Sequence, residues 1–359
     1  MSATPPVSET PRSTGRFAEL DVFRGIAALT VVLYHYLFRF DQLYELETLS
    51  VEHLWLGRYG VHFFFLISGF VICWSLSNAH GLGTFLVSRV SRIYPAYWVA
   101  IIATFTLVAI AGLPGREVGI GPFLFNFTML QDFFYVPRVD SAYWTLTAEL
   151  TFYFWIVLAY LAGQLHRAEL VFLPLMLLGA LIHLELVEIP SRVALVLLAK
   201  HANLFGAGIV FFRLHESGGG RAATRTALWY LPLSAAVNFA VYPPIDALFV
   251  SSFYLVFLLA VRGRLRWICR RPLLWLGAIS YSLYLLHQNI GYVIIRAVES
   301  WTGSERLGIV VALAVVLLAS DLLARTVERP AARRIRRLVS ARTRERPSSG
   351  AASADRSEG

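Results

Sequence analysis

Long apolar blocks recur along almost the whole chain, and they restrict its fold more than any other feature. Roughly 20 apolar residues span the hydrocarbon core of a bilayer. About ten blocks near this length occur, at residues 21–38, 60–77, 96–112, 143–163, 170–187, 193–212, 227–242, 247–261, 273–295 and 307–324. The chain of 359 residues is only 15% charged, whereas soluble domains average about 25%. The sequence therefore predicts an all-α fold, a polytopic membrane helix bundle with about ten transmembrane helices.

Arginine is unevenly distributed between the two sides of this predicted bundle. If the N-terminus lies inside, the inner connections hold Arg89, Arg92, Arg167, Arg213, Arg221, Arg225, Arg262, Arg264, Arg266, Arg270 and Arg271. The outer connections hold fewer arginines and collect acidic residues such as Asp41, Asp132 and Asp140. Because positive loops stay cytoplasmic, we predict a multi-pass protein of the cell membrane with cytoplasmic N- and C-termini. The net charge of +9 then follows from topology in the lipid bilayer, and we expect no nucleic-acid partner.

The two ends of the chain differ in composition from the apolar middle. Residues 1–16 are rich in Ser, Thr and Pro, and residues 341–359 are polar and basic, which is typical of disordered segments. We predict two disordered cytoplasmic tails flanking one membrane domain at 17–340. Within that domain, we expect the basic stretch 326–340 to lie along the inner membrane surface. Cys73 and Cys269 are too far apart to pair, and no metal site is readable.

Two ionisable residues lie in the first apolar block. Arg24 and His35 are eleven residues apart, which on an α-helix places them on one face and about 16 Å apart along the axis. Charged groups within a membrane are costly and therefore often functional. The plainer alternative is that Arg24 extends to the interface and His35 is a hydrogen-bonded histidine within the bundle. Their shared face favours a functional pair.

A carboxylate and a second histidine are expected near the depth of His35. Glu149 enters the fourth block from the outer side, and His287 lies in the outer half of the ninth. A histidine oriented by a carboxylate is a common device for deprotonating a hydroxyl. We therefore predict His35, Glu149 and His287 as catalytic residues, while a purely structural pairing would look the same in the sequence.

A second predicted cluster is cationic and lies at the inner surface. Arg24, Arg89 and Arg92 are placed to bind phosphate, which the planar guanidinium group suits well. For Arg89 and Arg92 the alternative is that they only set the topology. Lys200, the sole lysine of the chain, either lines a cavity or pairs with Asp321.

Six segments in order resemble the motifs of acyltransferase family 3, the integral-membrane O-acyltransferases. They are Leu20 to Gly25 continued through Tyr34-His35, Phe64 to Phe70, Arg89 to Pro95, Trp144 to Leu146 followed by Glu149 and Phe152-Tyr153, Ser280 to His287, and Val327 to Pro330. The one departure is Thr145, at a position where the family more often has Ser. The resemblance covers about residues 20–330.

The resemblance implies a ten-span membrane enzyme that uses acyl-CoA, usually acetyl-CoA, as a donor substrate bound from the cytoplasm, with no tightly bound cofactor. It implies that His35 is the central catalytic residue and that Arg24, Arg89 and Arg92 help to hold the donor. The expected reaction is transfer of an acyl group, most simply acetyl, to a hydroxyl of an exported or lipid-linked carbohydrate or glycan. Direct attack and a covalent acyl-enzyme both fit the sequence.

Two other functional classes are compatible with buried charge in a membrane bundle. In a transporter or flippase for a glycan or small molecule, the same residues would line a transport path. A catalytically silent assembly subunit is the third possibility. The six motifs favour the enzyme.

Overall fold

The computed structural model describes residues 17–44 and 52–344, and within them it contains helices and turns but no strand. The predicted all-α fold is confirmed. The α-helices are α1 Ala18–Tyr34, α2 Phe40–Tyr44, α3 Gly60–Ser77, α4 Leu82–Ala111, α5 Ile120–Asn126, α6 Trp144–Leu161, α7 Ala168–His183, α8 Ser191–Val196, α9 Ala202–Glu216, α10 Arg221–Val241, α11 Pro244–Val261, α12 Arg271–Leu286, α13 Gln288–Thr302, α14 Glu305–Leu323 and α15 Arg329–Arg344. Single π-helical turns at His35–Arg39 and Ala324–Glu328 join α1 to α2 and α14 to α15. Short 3₁₀ segments occur at Glu52–Tyr59, Gln131–Phe134, Ser141–Tyr143, Leu165–Arg167 and Arg266–Ile268.

Seven helical segments of the described chain are long and apolar enough to cross a membrane. They are Ala18–Tyr44, Leu54–Ser77, Leu82–Ala111, Ser141–Leu161, Leu165–His183, Pro244–Val261 and Glu305–Ile335. Each coincides with one of the predicted apolar blocks. A multi-pass membrane protein is therefore supported.

The remaining three predicted blocks do not form such a helix, so the count of about ten is not confirmed. The block 193–212 is divided between α8 and α9 by a turn at residues 197–201. The block 273–295 is divided at His287 into α12 and α13, of 16 and 15 residues. The block 227–242 forms a helix of 21 residues, which is long enough but insufficiently apolar. Hydropathy averaged over a block does not register a local turn.

The helices α1 and α12 are in close contact at a pair of glycines. A Cβ atom added at Gly25 would lie 2.5 Å from the backbone nitrogen of Gly277, and one added at Gly277 would lie 2.0 Å from the carbonyl oxygen of Asp21. Small residues allow two membrane helices to approach in this way. The contact sets Arg24, next to Gly25, against the polar face of α12.

The paired arginines lie within a helix and not in a loop before the third span. The helix α4 begins at Leu82, well before the apolar block predicted from residue 96, and it includes both Arg89 and Arg92. Arg89 is buried, with 8% of its surface exposed. Its guanidinium group donates to Ser75 Oγ over 3.0 Å.

The beginnings of the first and last described helices lie at the same end of the bundle. Phe17, just before α1, and Arg329, the first residue of α15, line one cavity. Glu19 of α1 also forms an ion pair of 3.7 Å with Arg266, in the connection between α11 and α12. The helix α15 packs against α4 and continues past residue 340, where the sequence predicted a tail. The other predicted tail residues, 1–16 and 345–359, lie outside the described residues.

The common position of the beginnings of α1 and α15 allows a specific test of the prediction that both termini are cytoplasmic. We expect reporter fusions at Met1 and Gly359 to give the cytoplasmic signal, because α1 and α15 begin at one end and that end carries the arginine-rich connections. A fusion in the 39–57 connection is expected to report from the opposite side. An external signal at Gly359 would contradict this orientation.

Candidate active site

Two joined cavities enter the bundle from the end where α1 begins. The wider one, here called the mouth, has a volume of about 530 Å³, and the narrower one, here called the chamber, about 90 Å³. Residues that line only the mouth include Phe17, Asp21, Trp74, Glu328 and Arg329. Residues that line only the chamber include Phe64, Phe65, Arg89, Thr145, Glu149 and Tyr284. Both cavities share Arg24, Val71, Arg92, Ser280 and Tyr281. The shared residues show that the mouth and the chamber are adjacent.

The three predicted arginines meet at this junction. Arg24 and Arg92 line both cavities, and Arg89 lines the chamber. They come from α1 and α4, so the tertiary fold brings together groups that are separated by more than sixty residues. The cluster presents several N–H donors to one space, which suits a phosphate-bearing ligand.

Glu149 lines the chamber on the side of the arginines. Its Oε1 accepts hydrogen bonds from Tyr153 over 2.5 Å and from Ser68 over 3.4 Å. Thr145, one helical turn earlier and about 6 Å farther out, bonds to the hydroxyl of Tyr284. Glu149 therefore places a carboxylate in the same cavity as Arg24, Arg89 and Arg92.

The two predicted histidines are in direct contact. His35 comes from the first π-helical turn and His287 from the joint between α12 and α13. Nδ1 of His35 lies 3.2 Å from Nε2 of His287, and their ring centroids are 4.8 Å apart. His287 is fully buried, whereas His35 is partly exposed. Isolated π-helical turns inside α-helices are frequent at functional sites.

The hydrogen bonds of the pair assign the protons of the neutral rings. Nδ1 of His287 lies 2.7 Å from the Tyr284 carbonyl, so this nitrogen donates and Nε2 is an acceptor. Nδ1 of His35 lies 2.8 Å from the Val31 carbonyl and faces that acceptor, so it carries the proton of His35. The lone pair of His35 is then on Nε2, for which the described residues provide no hydrogen-bond partner. His35 is thus arranged to accept a proton, and His287 to stabilise the resulting cation.

A network of hydrogen bonds, most of them buried, holds His287 in place. Six bonds connect residues 139–145 with residues 284–289, and we call this network the clasp. They join Val139 to Asn289, Asp140 to Asn289, Ser141 to Gln288, Ala142 to Tyr284, Tyr143 to Leu285, and Thr145 to Tyr284. In a continuous helix the Leu285 carbonyl would accept a hydrogen bond from the Asn289 amide. Here the carbonyl accepts from the Tyr143 hydroxyl instead, and the amide donates to Asp140. The side chains of Tyr143 and Asp140 thus replace one backbone hydrogen bond of the helix, which accounts for the break between α12 and α13 at His287, here called the joint. In addition, the hydroxyl of Tyr36 donates to the His287 carbonyl over 2.7 Å.

Tyr284 connects the chamber with the histidine pair. Its side chain lines the chamber, and the centroid of its ring lies 5.4 Å from that of His287. Starting from the end where α1 begins, the mouth adjoins the chamber, Tyr284 lines the chamber, and the rings of His287 and His35 follow in contact with one another. Ser280, Tyr281 and Tyr284 of α12 all line the chamber.

The structure thus unites His35 with His287 and the three arginines with Glu149. Glu149 does not hydrogen-bond to either histidine, because α6 directs it toward Ser68 of α3. The suggested pair of Lys200 and Asp321 is also absent. Asp321 bonds to Arg325 and Trp275, while Lys200 lies in the turn before α9 and lines a separate cavity of about 480 Å³.

Several residues of the site were not singled out from the sequence. Asp140 precedes a helical turn and caps it by accepting from the Ala142 amide over 2.9 Å, and an aspartate before a helix is a readable capping signal. Its second bond, to Asn289, spans 149 residues and has no local signal. Tyr36, next to His35, is likewise recognisable only through its bond to His287.

Comparison with known proteins shows the family of this chain. A family model described as an acyltransferase domain matches residues 17–325. Nodulation protein 10 of Rhizobium leguminosarum bv. viciae is 26% identical over 347 residues, which is 86% of this chain and 91% of that protein. Acyltransferase MdmB of Streptomyces mycarofaciens is 31% identical over 155 residues, which is 40% of this chain and 39% of that protein. No solved structure matches the chain.

Proposed function

This chain belongs to the acyltransferase family whose domain it matches, and we propose that it moves an acyl group, most simply acetyl, from acyl-CoA to a carbohydrate hydroxyl. The protein lies in the cell membrane with both termini in the cytoplasm, and it takes its donor from that side. The acceptor is a glycan that is exported or carried on a lipid.

The path from the arginines to the histidines carries this proposal. An acyl-CoA has a bulky nucleotide with phosphates at one end and a thin pantetheine arm at the other. The wide mouth with Arg24 and Arg92 matches the first part, and the narrow chamber, which Tyr284 helps to line, matches the second. The donor can therefore remain at the cytoplasmic end while its acyl group approaches His287 and His35. The distance from Arg24 to His35 along the helix is about 16 Å.

The histidine pair supplies the proton chemistry. Nε2 of His35 accepts the proton of the acceptor hydroxyl as the oxygen attacks the thioester carbon. A new C–O bond forms, the C–S bond breaks, and the proton passes to the departing thiolate to give free CoA. Nδ1–H of the charged His35 ring is stabilised by the Val31 carbonyl and by Nε2 of His287.

Two measurements test the proposed function. Purified protein in lipid nanodiscs is expected to catalyse label transfer from acetyl-CoA to extracted glycan acceptors. Mass spectrometry of surface polysaccharide from a strain lacking the protein is expected to show the loss of one acetyl mass per modified unit. An unchanged polysaccharide, together with no acyl-CoA-dependent transfer in vitro, would exclude this function.

The arginine cluster gives a separate prediction about donor binding. We expect Arg89→Ala and Arg92→Ala each to weaken acyl-CoA binding by about 10- to 150-fold, since a charge-assisted hydrogen bond contributes roughly 1.5–3 kcal/mol. Arg92→Lys is expected to rescue binding only in part, because an ammonium group lacks the planar fork of donors. Calorimetry at two salt concentrations measures these effects, and higher salt should weaken wild-type binding.

Arg271→Ala is the matched control for this series. Arg271 is exposed at the start of α12 and lines neither the mouth nor the chamber. Its replacement is expected to leave the affinity for acyl-CoA unchanged. Wild-type affinity in the double variant of Arg89 and Arg92 would place the donor elsewhere.

A further inference from the structure

A third cavity, here called the outer cavity, lies at the opposite end of α9 from the mouth. It has a volume of about 480 Å³ and is lined by α6 and by residues of the segments 132–138 and 191–201. The helix α9 begins directly after this cavity. At its far end, the ring of His215 lies 4.8 Å from that of Phe17, which lines the mouth. Since a helix rises about 1.5 Å per residue, roughly 20 Å separate the two cavities. The outer cavity therefore lies near the other surface of the bundle.

The charged residues that line the outer cavity are mostly positive. Asp132 is the one acidic residue in the described lining, and its Oδ1 accepts from Nε of Arg138 over 2.6 Å. Lys200 and Arg192 are exposed, and neither has a carboxylate partner within the part of the chain that the structure describes. Arg192 lies instead over the ring of Tyr135, 4.0 Å from its centroid. Two cations without an ionic partner are thus available to an anion.

The rest of the lining is largely apolar. More than half of the residues that line the outer cavity are apolar, among them Trp144, Leu195 and Leu198. The adjoining surface is apolar as well, since Val193 and Val196 of α8 are exposed, and so are the aromatic rings of Phe134 and Tyr135. Exposed aromatic residues of membrane proteins are enriched at the boundary between lipid and water. The outer cavity therefore lies where a lipid headgroup meets its acyl chains.

An acidic lipid combines the two properties that the outer cavity requires. A soluble anion would use only the cations, and a neutral lipid would use only the apolar lining. Basic residues near a membrane surface attract acidic headgroups, and both guanidinium and ammonium groups bind phosphate through charge-assisted hydrogen bonds.

We propose that the outer cavity is a binding site for an acidic phospholipid, in which Lys200 and Arg192 hold the phosphate and the apolar lining holds the start of the acyl chains. The site is separate from the mouth and the chamber, which are assigned to the acyl donor. The inference goes beyond the proposed function and does not depend on it.

The test uses purified protein in nanodiscs of phosphatidylcholine that contain a small share of a photoreactive phosphatidylglycerol. A diazirine at the start of one acyl chain marks the residues beside the bound headgroup. Mass spectrometry of peptides is expected to find the label within residues 132–148 and 191–201. A larger share of unlabelled phosphatidylglycerol should suppress this labelling, whereas the same share of phosphatidylethanolamine should not.

Substitution of the two cations is expected to weaken the site. Lys200→Gln and Arg192→Gln should each lower the labelling of the outer cavity about fivefold, and the double variant about 25-fold, because one basic residue near a membrane surface contributes roughly this factor. Lys200→Arg keeps the charge and should label like the wild type. Thermal unfolding verifies that each variant is folded, and the two single variants answer the question if the double variant is not recovered.

Arg306→Gln is the matched control. Arg306 is exposed near the beginning of α14 and does not line the outer cavity. Because α14 leads into the turn that ends at Glu328 of the mouth, its beginning lies at the end of the bundle away from the mouth. The loss of this positive charge is expected to leave the labelling unchanged.

Three results would overturn the proposal. Label that is absent from these segments, or that phosphatidylethanolamine suppresses as well as phosphatidylglycerol does, would show that the cavity does not select an acidic headgroup. Unchanged labelling in folded Lys200→Gln and Arg192→Gln variants would remove the two cations from the site. Suppression by inorganic phosphate as strong as that by phosphatidylglycerol would indicate a site for a free anion. Acyl transfer is not measured, so the outcome is independent of the proposed function.

Discussion

Acyl transfer is expected to fall by about 10²–10⁴-fold when His35 is replaced by alanine, the range typical for the loss of a general base. The hydrogen bonds of the His35–His287 pair use three of its four ring nitrogens. Among the described residues, only Nε2 of His35 is left free to accept a proton. Because His35 lines neither the mouth nor the chamber, the affinity for acyl-CoA should remain near the wild-type value. Single-turnover transfer assays and calorimetry measure the two quantities separately.

His183→Ala is a matched control for His35→Ala. The ring of His183 makes the same local contact, from Nδ1 to the carbonyl four residues earlier, over 2.8 Å, and it is partly exposed like His35. It lies on α7, away from the paired histidines. We expect its replacement to leave transfer intact. Near-normal turnover by His35→Ala would remove His35 from the mechanism.

The second large effect is expected at Asp140, which is 1% exposed and belongs to the clasp. Its two carboxylate oxygens accept from the amides of Ala142 and Asn289, each over 2.9 Å. Asp140→Ala leaves both amides unpaired, at a cost of about 1–3 kcal/mol each, so we expect the protein to be less stable by roughly 2–6 kcal/mol. The loss also releases the joint at His287, and transfer should slow with little change in KM for acyl-CoA.

Glu117→Ala is the control for Asp140→Ala. It shows how much removing a carboxylate that accepts from two backbone amides affects stability when the residue is exposed and outside the clasp. Glu117 also accepts from two backbone amides, those of Leu113 and Arg116, over 3.1 and 3.2 Å, but it is exposed. Glu117→Ala is expected to shift thermal unfolding only slightly, and Asp140→Asn should retain part of the stability lost in Asp140→Ala. Equal unfolding temperatures for Asp140→Ala and the wild type would show that the clasp does not hold the joint.

Local properties of the chain sufficed to predict the class of fold and the identity of the main polar groups. The length of an apolar block is a property of neighbouring residues, and a bilayer requires roughly 20 of them, so the block ending near Ser77 could be recognised as a span directly. Charged residues in such blocks are rare and costly, which made Arg24 and His35 conspicuous. The same local character explains the errors, since the turn before α9 and the joint at His287 interrupt blocks whose average hydropathy stays high.

Only the tertiary structure decided which polar groups act together. Depth in the membrane suggested that His35, Glu149 and His287 meet, but depth does not specify the rotation of a helix about its axis. The rotation of α6 directs Glu149 toward the arginines, and the approach of α1 to α12 brings His35 to a histidine 252 residues away. The bond from Asp140 to Asn289 is likewise long-range. Residue type and periodicity thus determined which groups were available, whereas helix rotation and close packing, which depend on contacts between distant segments, determined the partner of each.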